Sequence, residues 1–120
     1  MKKKILLVDD TDAFLYILTH ILKHDYTLAV SKSGEDGIEI AKEEKPDLIL
    51  MDIMMPGMSG YEALAALKAD ADTRHIPVIL SSGKTSDEEV ASGLALGAAD
   101  YIKKPFVVTE VKEKVAAQFA

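Results

Sequence analysis

Five side chains of this 120-residue sequence are placed where they could do chemistry together: the carboxylates of Asp9, Asp10 and Asp52, the hydroxyl of Ser82 and the amine of Lys104. Two or three carboxylates held close repel one another, which raises a pKa or calls for a cation. A hard divalent ion such as Mg²⁺ answers that call, because it takes oxygen ligands and accepts one or two carboxylates together with phosphate oxygens. A carboxylate can also act as a nucleophile and form an aspartyl-phosphate. Phosphoryl transfer needs the charge on the equatorial oxygens neutralised, a task for a metal, a lysine and a hydroxyl donor. Asp52, the Asp9/Asp10 pair, Lys104 and Ser82 could divide those roles. Each also has a plainer reading: Asp9 and Asp10 could offset the positive end of a helix, Asp52 could solvate a loop, Ser82 could serve a turn, and Lys104 could be an exposed lysine. What decides between the readings is whether the chain brings the five together.

The surrounding elements say that it does. Ile5 to Val8 and Leu48 to Met51 are continuous apolar runs, the mark of strands buried on both faces, and each stops at a carboxylate. Met55-Pro56-Gly57 then breaks the second of these runs. Phe14, Leu18, Ile21 and Leu22 predict an amphipathic helix after Asp9-Asp10, with Thr11 or Asp12 as its N-cap. Tyr26 to Val30 reads as a strand, and Gly34 to Glu44 as a helix burying Ile38 and Ala41. Ser59 and Glu62 have capping-box spacing and open a helix over 60–68 with Leu64 and Leu67 inward. Ile76 to Ser81 predicts a fourth strand. A second capping box, Ser86 and Glu89, opens a helix with Val90 and Leu94 inward that stops at Gly97. Asp100 to Lys103 is a fifth strand, and Val108, Val111, Val115 and Phe119 line a final helix. Five strands alternating with five helices imply an α/β domain over 1–120, with a parallel sheet and helices on both faces. In such a sheet all carboxyl ends open on one edge, where open α/β folds build their sites. Asp9, Asp10, Asp52, Ser82 and Lys104 all fall at that edge.

Composition narrows the setting. The chain is 48% hydrophobic and 28% charged, as ordinary globular domains are. No apolar run approaches the roughly 20 residues that span a bilayer, and only four apolar residues follow Lys2-Lys3-Lys4, too few for a signal peptide. A cytoplasmic location is expected. The absence of cysteine excludes disulfides, thiolate metal sites and cysteine nucleophiles. A net charge of −6 argues against direct nucleic-acid binding by the domain, since phosphate contacts need clustered Lys and Arg.

Along its whole length the sequence resembles a receiver domain of bacterial two-component response regulators. The resemblance is carried by Ile5-Leu-Leu-Val-Asp-Asp10, Leu48-Ile-Leu-Met-Asp52, Met55-Pro56-Gly57-Met58-Ser59-Gly60, Ile76-Pro77-Val78-Ile79, Gly97-Ala-Ala-Asp-Tyr101 and Lys103-Lys104-Pro105-Phe106. It implies a flavodoxin-like strand order of 2-1-3-4-5. It implies that Asp52 accepts a phosphoryl group from a sensor histidine kinase, a phosphotransfer protein or a small phosphodonor. Asp10 and Asp52 would bind Mg²⁺ (or Mn²⁺) directly, Asp9 through water, and the Met54 carbonyl would complete the protein's share. Lys104 and Ser82 would contact the phosphoryl group. Ser82, five residues after Pro77, would pair with Tyr101 as the switch, drawing inward on phosphorylation so that Tyr101 turns in and the surface of the fourth helix, fifth strand and fifth helix repacks. A downstream effector or fused output domain would read that surface, and a homodimer could form through it. A stand-alone receiver and a piece of a larger regulator fit the sequence equally well.

Rival readings fit less well. Phosphatases of the haloacid dehalogenase kind resemble Asp-x-Asp-x-Thr, and here Met54 stands at the second acid. Gly83-Lys84-Thr85 mimics the tail of a P-loop, yet the motif's first glycine would fall at Val78, inside a strand. His20 and His24 are four apart but lack a third ligand. The methionines at 51, 54, 55 and 58 read as core and loop packing. Met54 and Lys84, two residues beyond Asp52 and Ser82, stand where this family tunes the access of hydrolytic water, and neither offers an acid or amide to orient it. Slow self-dephosphorylation is therefore expected. Met54→Asn should shorten the lifetime of the phosphorylated protein, and an unchanged decay rate would count against this role for position 54.

Overall fold

The structure is a computed structural model that describes residues 2–83 and 86–120. Its elements follow in strict alternation: β1 Lys4–Val8, α1 Asp12–Leu22, β2 Thr27–Ser31, α2 Gly34–Glu44, β3 Leu48–Asp52, α3 Gly60–Ala69, β4 Val78–Ser82, α4 Asp87–Ala95, β5 Asp100–Lys103 and α5 Val108–Ala117. The strands form one parallel sheet in the order β2-β1-β3-β4-β5. This is the flavodoxin-like order expected.

Period-two alternation in β1 divides the core. Ile5 and Leu7 face the layer of α1 and α5, where Leu15, Leu18, Leu22, Val111 and Val115 pack. Leu6 and Val8 face the opposite layer, with Ala41 of α2 and Ala63, Leu64 and Leu67 of α3. All residues of β3 and β4 are buried, as their unbroken apolar runs predict. The edge strand β2 exposes Thr27 and Val30 instead.

Several boundaries and faces differ from the sequence expectation. β2 and β4 start one and two residues later than predicted, because pairing with neighbours begins at Thr27 and Val78. The stripe of α1 that reaches the sheet includes Leu15, while Phe14 is only half-buried. Leu94 is exposed, not inward: the position of α4 that meets the sheet is Gly93, whose Cα lies so near Leu80 that a Cβ would come within 2.8 Å of Leu80 Cδ1. Val108 is exposed at the start of α5, and Phe119 packs half-buried beside Tyr26 beyond the helix end. Ser59 caps α3 as expected, in a complete capping box with Glu62, and Ser33 caps α2 by accepting from the Asp36 N–H. Ser86 accepts from the Glu89 N–H, but its hydroxyl also donates to the Glu89 carboxylate, so only half of that box forms. Thr11 occupies the α1 N-cap without a side-chain bond.

Gly60 sets the path of the chain after β3. Its N–H donates to the Ile53 carbonyl at 2.9 Å, closing the 53–60 loop. A Cβ there would lie 2.3 Å from the Asp52 carbonyl oxygen and 2.7 Å from the Ile53 Cα, both backbone atoms that cannot step aside. Alanine gains at most about 1 kcal/mol of helix propensity over glycine, whereas overpacking costs about 1–3 kcal/mol. Gly60→Ala should therefore lower the urea midpoint by an equivalent of about 1–2 kcal/mol at unchanged m-value.

Candidate functional site

Asp9 follows the last residue of β1, and Asp52 is the last residue of β3. β1 and β3 are neighbours, with Val8 paired to Met51, so the two acids emerge side by side. One carboxylate oxygen from each of Asp9, Asp10 and Asp52 lies within 4.8 Å of the others. Asp9 and Asp52 are buried and Asp10 is half-buried. Among the described residues this is the one group of three or more acidic or histidine side chains placed to hold a metal ion. His20 and His24 lie exposed on and just beyond α1.

Lys104 completes the cluster. Its backbone N–H donates to the Ser82 carbonyl at 2.9 Å, which seats the residue beside the end of β4, just before a cis peptide to Pro105. Its Nζ lies 2.9 Å from Asp9 Oδ2 and 3.1 Å from Asp52 Oδ1. Those two buried oxygens have no well-directed hydrogen bond, so the ammonium pairs with them through charge rather than through aligned donation. The other Asp9 oxygen, Oδ1, accepts from the Thr11 N–H at 2.9 Å, and the chain thus orients Asp9 through the start of α1. Burial is the main cause that raises the Asp52 pKa above 3.8; Asp9 and Asp10 push the same way, against the opposing pull of Lys104. Two buried oxygens without aligned donors, in an all-oxygen cluster that outnumbers its one lysine, are a donor set suited to a hard divalent cation.

Ser82 is buried at the end of β4, and its side chain is hydrogen-bonded to Tyr101, itself 5% exposed on β5. Burial raises the Tyr101 pKa, and a second hydroxyl, that of Tyr61 on α3, also meets it. Tyr61 donates in turn to the Glu89 carbonyl of α4 at 3.3 Å. Met54 is exposed at the rim of the acidic pocket, in a depression shared with Asp10, Met55, Pro56 and Ser59. Lys84 lies outside the described residues. Phe14, Gly60, Tyr61 and Gly93 were not foreseen as parts of the site or its surroundings. Only Gly60 carried a sequence signal, being the glycine directly after a helix cap in the loop that leaves Asp52.

The comparisons with known proteins agree with this geometry. The model of the response regulator receiver domain matches residues 5–116. Protein PilH of Pseudomonas aeruginosa is 43% identical over 103 residues, 85% of each chain. The DNA-binding response regulator MtrA of Mycolicibacterium smegmatis is 35% identical over 119 residues, 98% of this chain but 51% of its own, so this chain spans about half of that relative. A structure of the Vibrio cholerae chemotaxis protein CheY4 superposes with a TM-score of 0.91 at 25% identity, covering 98% of both chains. The chain belongs to the response regulator receiver domain family. It is a phosphoryl-accepting signalling switch of two-component systems, a class that binds Mg²⁺ in an acidic pocket and works between histidine kinases and output domains. None of its described helices is long and apolar enough to cross a membrane.

The crowding of charge gives a pH prediction for the metal-free protein. The raised Asp52 pKa means that the folded chain holds a proton the unfolded chain has released, so stability falls as pH rises from the unfolded value through the folded one, and the deficit persists above it. Asp52→Asn should then melt higher than wild type at neutral pH, with the gap closing below the ordinary carboxylate range. Lys104→Met, which removes the cation facing two buried acids, should destabilise by about 3–5 kcal/mol. Added Mg²⁺ should stabilise wild type more than Asp52→Asn. Thermal melts across pH with and without Mg²⁺ read all three.

Proposed function

We propose that Asp52 is the phosphoryl acceptor of this switch and that Asp9, Asp10, Lys104 and Ser82 serve its transfer. The observation that carries the reading is the buried Asp52 carboxylate, clustered with two further acids and 3.1 Å from the Lys104 ammonium at the carboxyl edge of the sheet. An Asp52 oxygen attacks the phosphorus of a phosphohistidine on a sensor kinase or phosphotransfer protein, or of a small acyl phosphate. The phosphorus–nitrogen or phosphorus–oxygen bond of the donor breaks, and the donor leaves with its electron pair. Mg²⁺, or Mn²⁺ in its place, when bound neutralises charge on the phosphoryl oxygens. Asp10, Asp52 and the Met54 carbonyl would hold the metal directly. Asp9 would act through water, with its Oδ1 already accepting from the Thr11 N–H. Lys104 then exchanges its carboxylate partner for a phosphoryl oxygen, and Ser82 donates its hydroxyl to another.

The readout runs through Tyr101. Its inward position against Ser82 is the arrangement we assign to the activated switch, with an outward Tyr101 as the alternative. A phosphoryl group that engages Ser82 would bias that pair and so change the surface bearing Val90, Asp100, Lys103, Glu110 and Lys114 on α4, β5 and α5. An effector or fused output domain would read this surface, and a homodimer through α4, β5 and α5 is a second use of it. We place the domain in the cytoplasm, reached by the kinase, and assign it no direct contact with nucleic acid or membrane.

Incubation with acetyl phosphate and Mg²⁺ should add the mass of one phosphoryl group to wild type and none to Asp52→Ala. Labelling that survives the substitution refutes the assignment. In the same phosphorylated sample the ring resonances of Tyr101 should shift, and unmoved resonances would remove the switch from the proposal.

A further inference from the structure

The Lys104 ammonium has a third neighbour that carries no charge. Its Nζ stands 3.9 Å from the centroid of the Phe14 ring, well inside the roughly 6 Å within which a cation is drawn to an aromatic face. Phe14 is in turn met by Phe106, centroid to centroid at 5.6 Å and an interplanar angle of 83°, an edge-to-face pair. Phe106 lies two residues after Lys104 and packs against the core layer of α1 and α5. The ring of Phe14 thus lies between the Phe106 ring and the ammonium.

Position on the helix supports a dedicated role. Residue 15, one step on and rotated by about 100°, is the one whose side chain is buried against the sheet, while Phe14 is half-buried beside the loop after β5. An aliphatic residue would suffice to cover that loop. A ring face does something an aliphatic chain cannot, since it attracts the cation while leaving its charge uncancelled. Lysine is a flexible four-carbon stem ending in a point charge, so an uncommitted ammonium would sample many positions. Here the carboxylates hold it from one side and the ring from another, and its side chain is 10% exposed.

We propose that Phe14 is a positioning residue for Lys104: its ring face, braced by Phe106, holds the ammonium over Asp52 so that it meets an incoming phosphoryl group already in place. The proposal rests on Asp52 as acceptor, but its first test does not. In the metal-free protein the ε-methylene protons of Lys104 should show an upfield ring-current shift that Phe14→Leu abolishes and Phe14→Tyr retains. In the second test, Phe14→Leu should bind beryllofluoride, a phosphoryl analogue, with Mg²⁺ about 3- to 30-fold more weakly, and should be phosphorylated by acetyl phosphate with a similarly lower efficiency. Phe14→Tyr should recover both, whereas a residue that only fills space would be replaced equally well by leucine. Lys104 resonances that do not differ between wild type and Phe14→Leu overturn the proposal. So does a Phe14→Leu protein that loses the shift yet binds the analogue and reacts as wild type does. If wild type itself takes up no phosphoryl group, the proposed acceptor fails and the placement of Lys104 is judged on its resonances alone.

Discussion

The constraint on which this domain turns is the repulsion among three carboxylates that share one small pocket with a single ammonium. Asp9 and Asp52 are nearly sealed from solvent, where like charges are screened least, and Lys104 stands against both. Burying these like charges costs stability in the metal-free protein, and the all-oxygen donor set suits a hard divalent cation. Much of the local structure serves to hold it together. The pairing of β1 with β3 brings two strand ends level, the Thr11 N–H fixes one acid, and the 53–60 loop closes over a glycine because no Cβ fits against the Asp52 carbonyl.

From that pocket a continuous path of polar and aromatic groups leads outward. Ser82 meets Tyr101, Tyr101 meets Tyr61, and Tyr61 reaches the backbone of α4 at Glu89. Gly93 lets α4 lie close to Leu80 and Tyr101, so a shift of the tyrosine ring would be felt by that helix. On the far side, the Lys114 ammonium donates to the Tyr101 carbonyl at 2.5 Å and lies near Asp100 and Glu110, which ties β5 to α5. Spatial adjacency of this kind gives a means of coupling, and the coupling itself is what a phosphorylated sample would measure.

The legibility of the sequence followed the strength of its periodic signals. β3 and β1 were plain because unbroken apolar runs ending in acids leave few alternatives. Side-chain faces on the helices were harder to read. α1 offers both Phe14 and Leu15 as apolar residues, and only the angle at which the helix lies on the sheet assigns Leu15 to the core and Phe14 to Lys104. In α4, Leu94 looked like an inward residue, but the bulk of Tyr101 and Leu80 leaves room there only for Gly93. Hydrophobicity alone cannot report that a neighbour is too large.

By itself the sequence determined the order of strands and helices, the burial of the central strands, and the placing of Asp9, Asp10, Asp52, Ser82 and Lys104 at one edge of a parallel sheet. Those follow from local patterns and from the fact that parallel strands share a direction. The tertiary structure decided how each group is held: that Lys104 bridges Asp9 and Asp52, that an aromatic ring flanks its ammonium, and that Tyr101 lies inward between Ser82 and Tyr61. Such contacts join residues distant in the chain. They depend on packing angles and on the space neighbours leave, which no local pattern in the chain encodes.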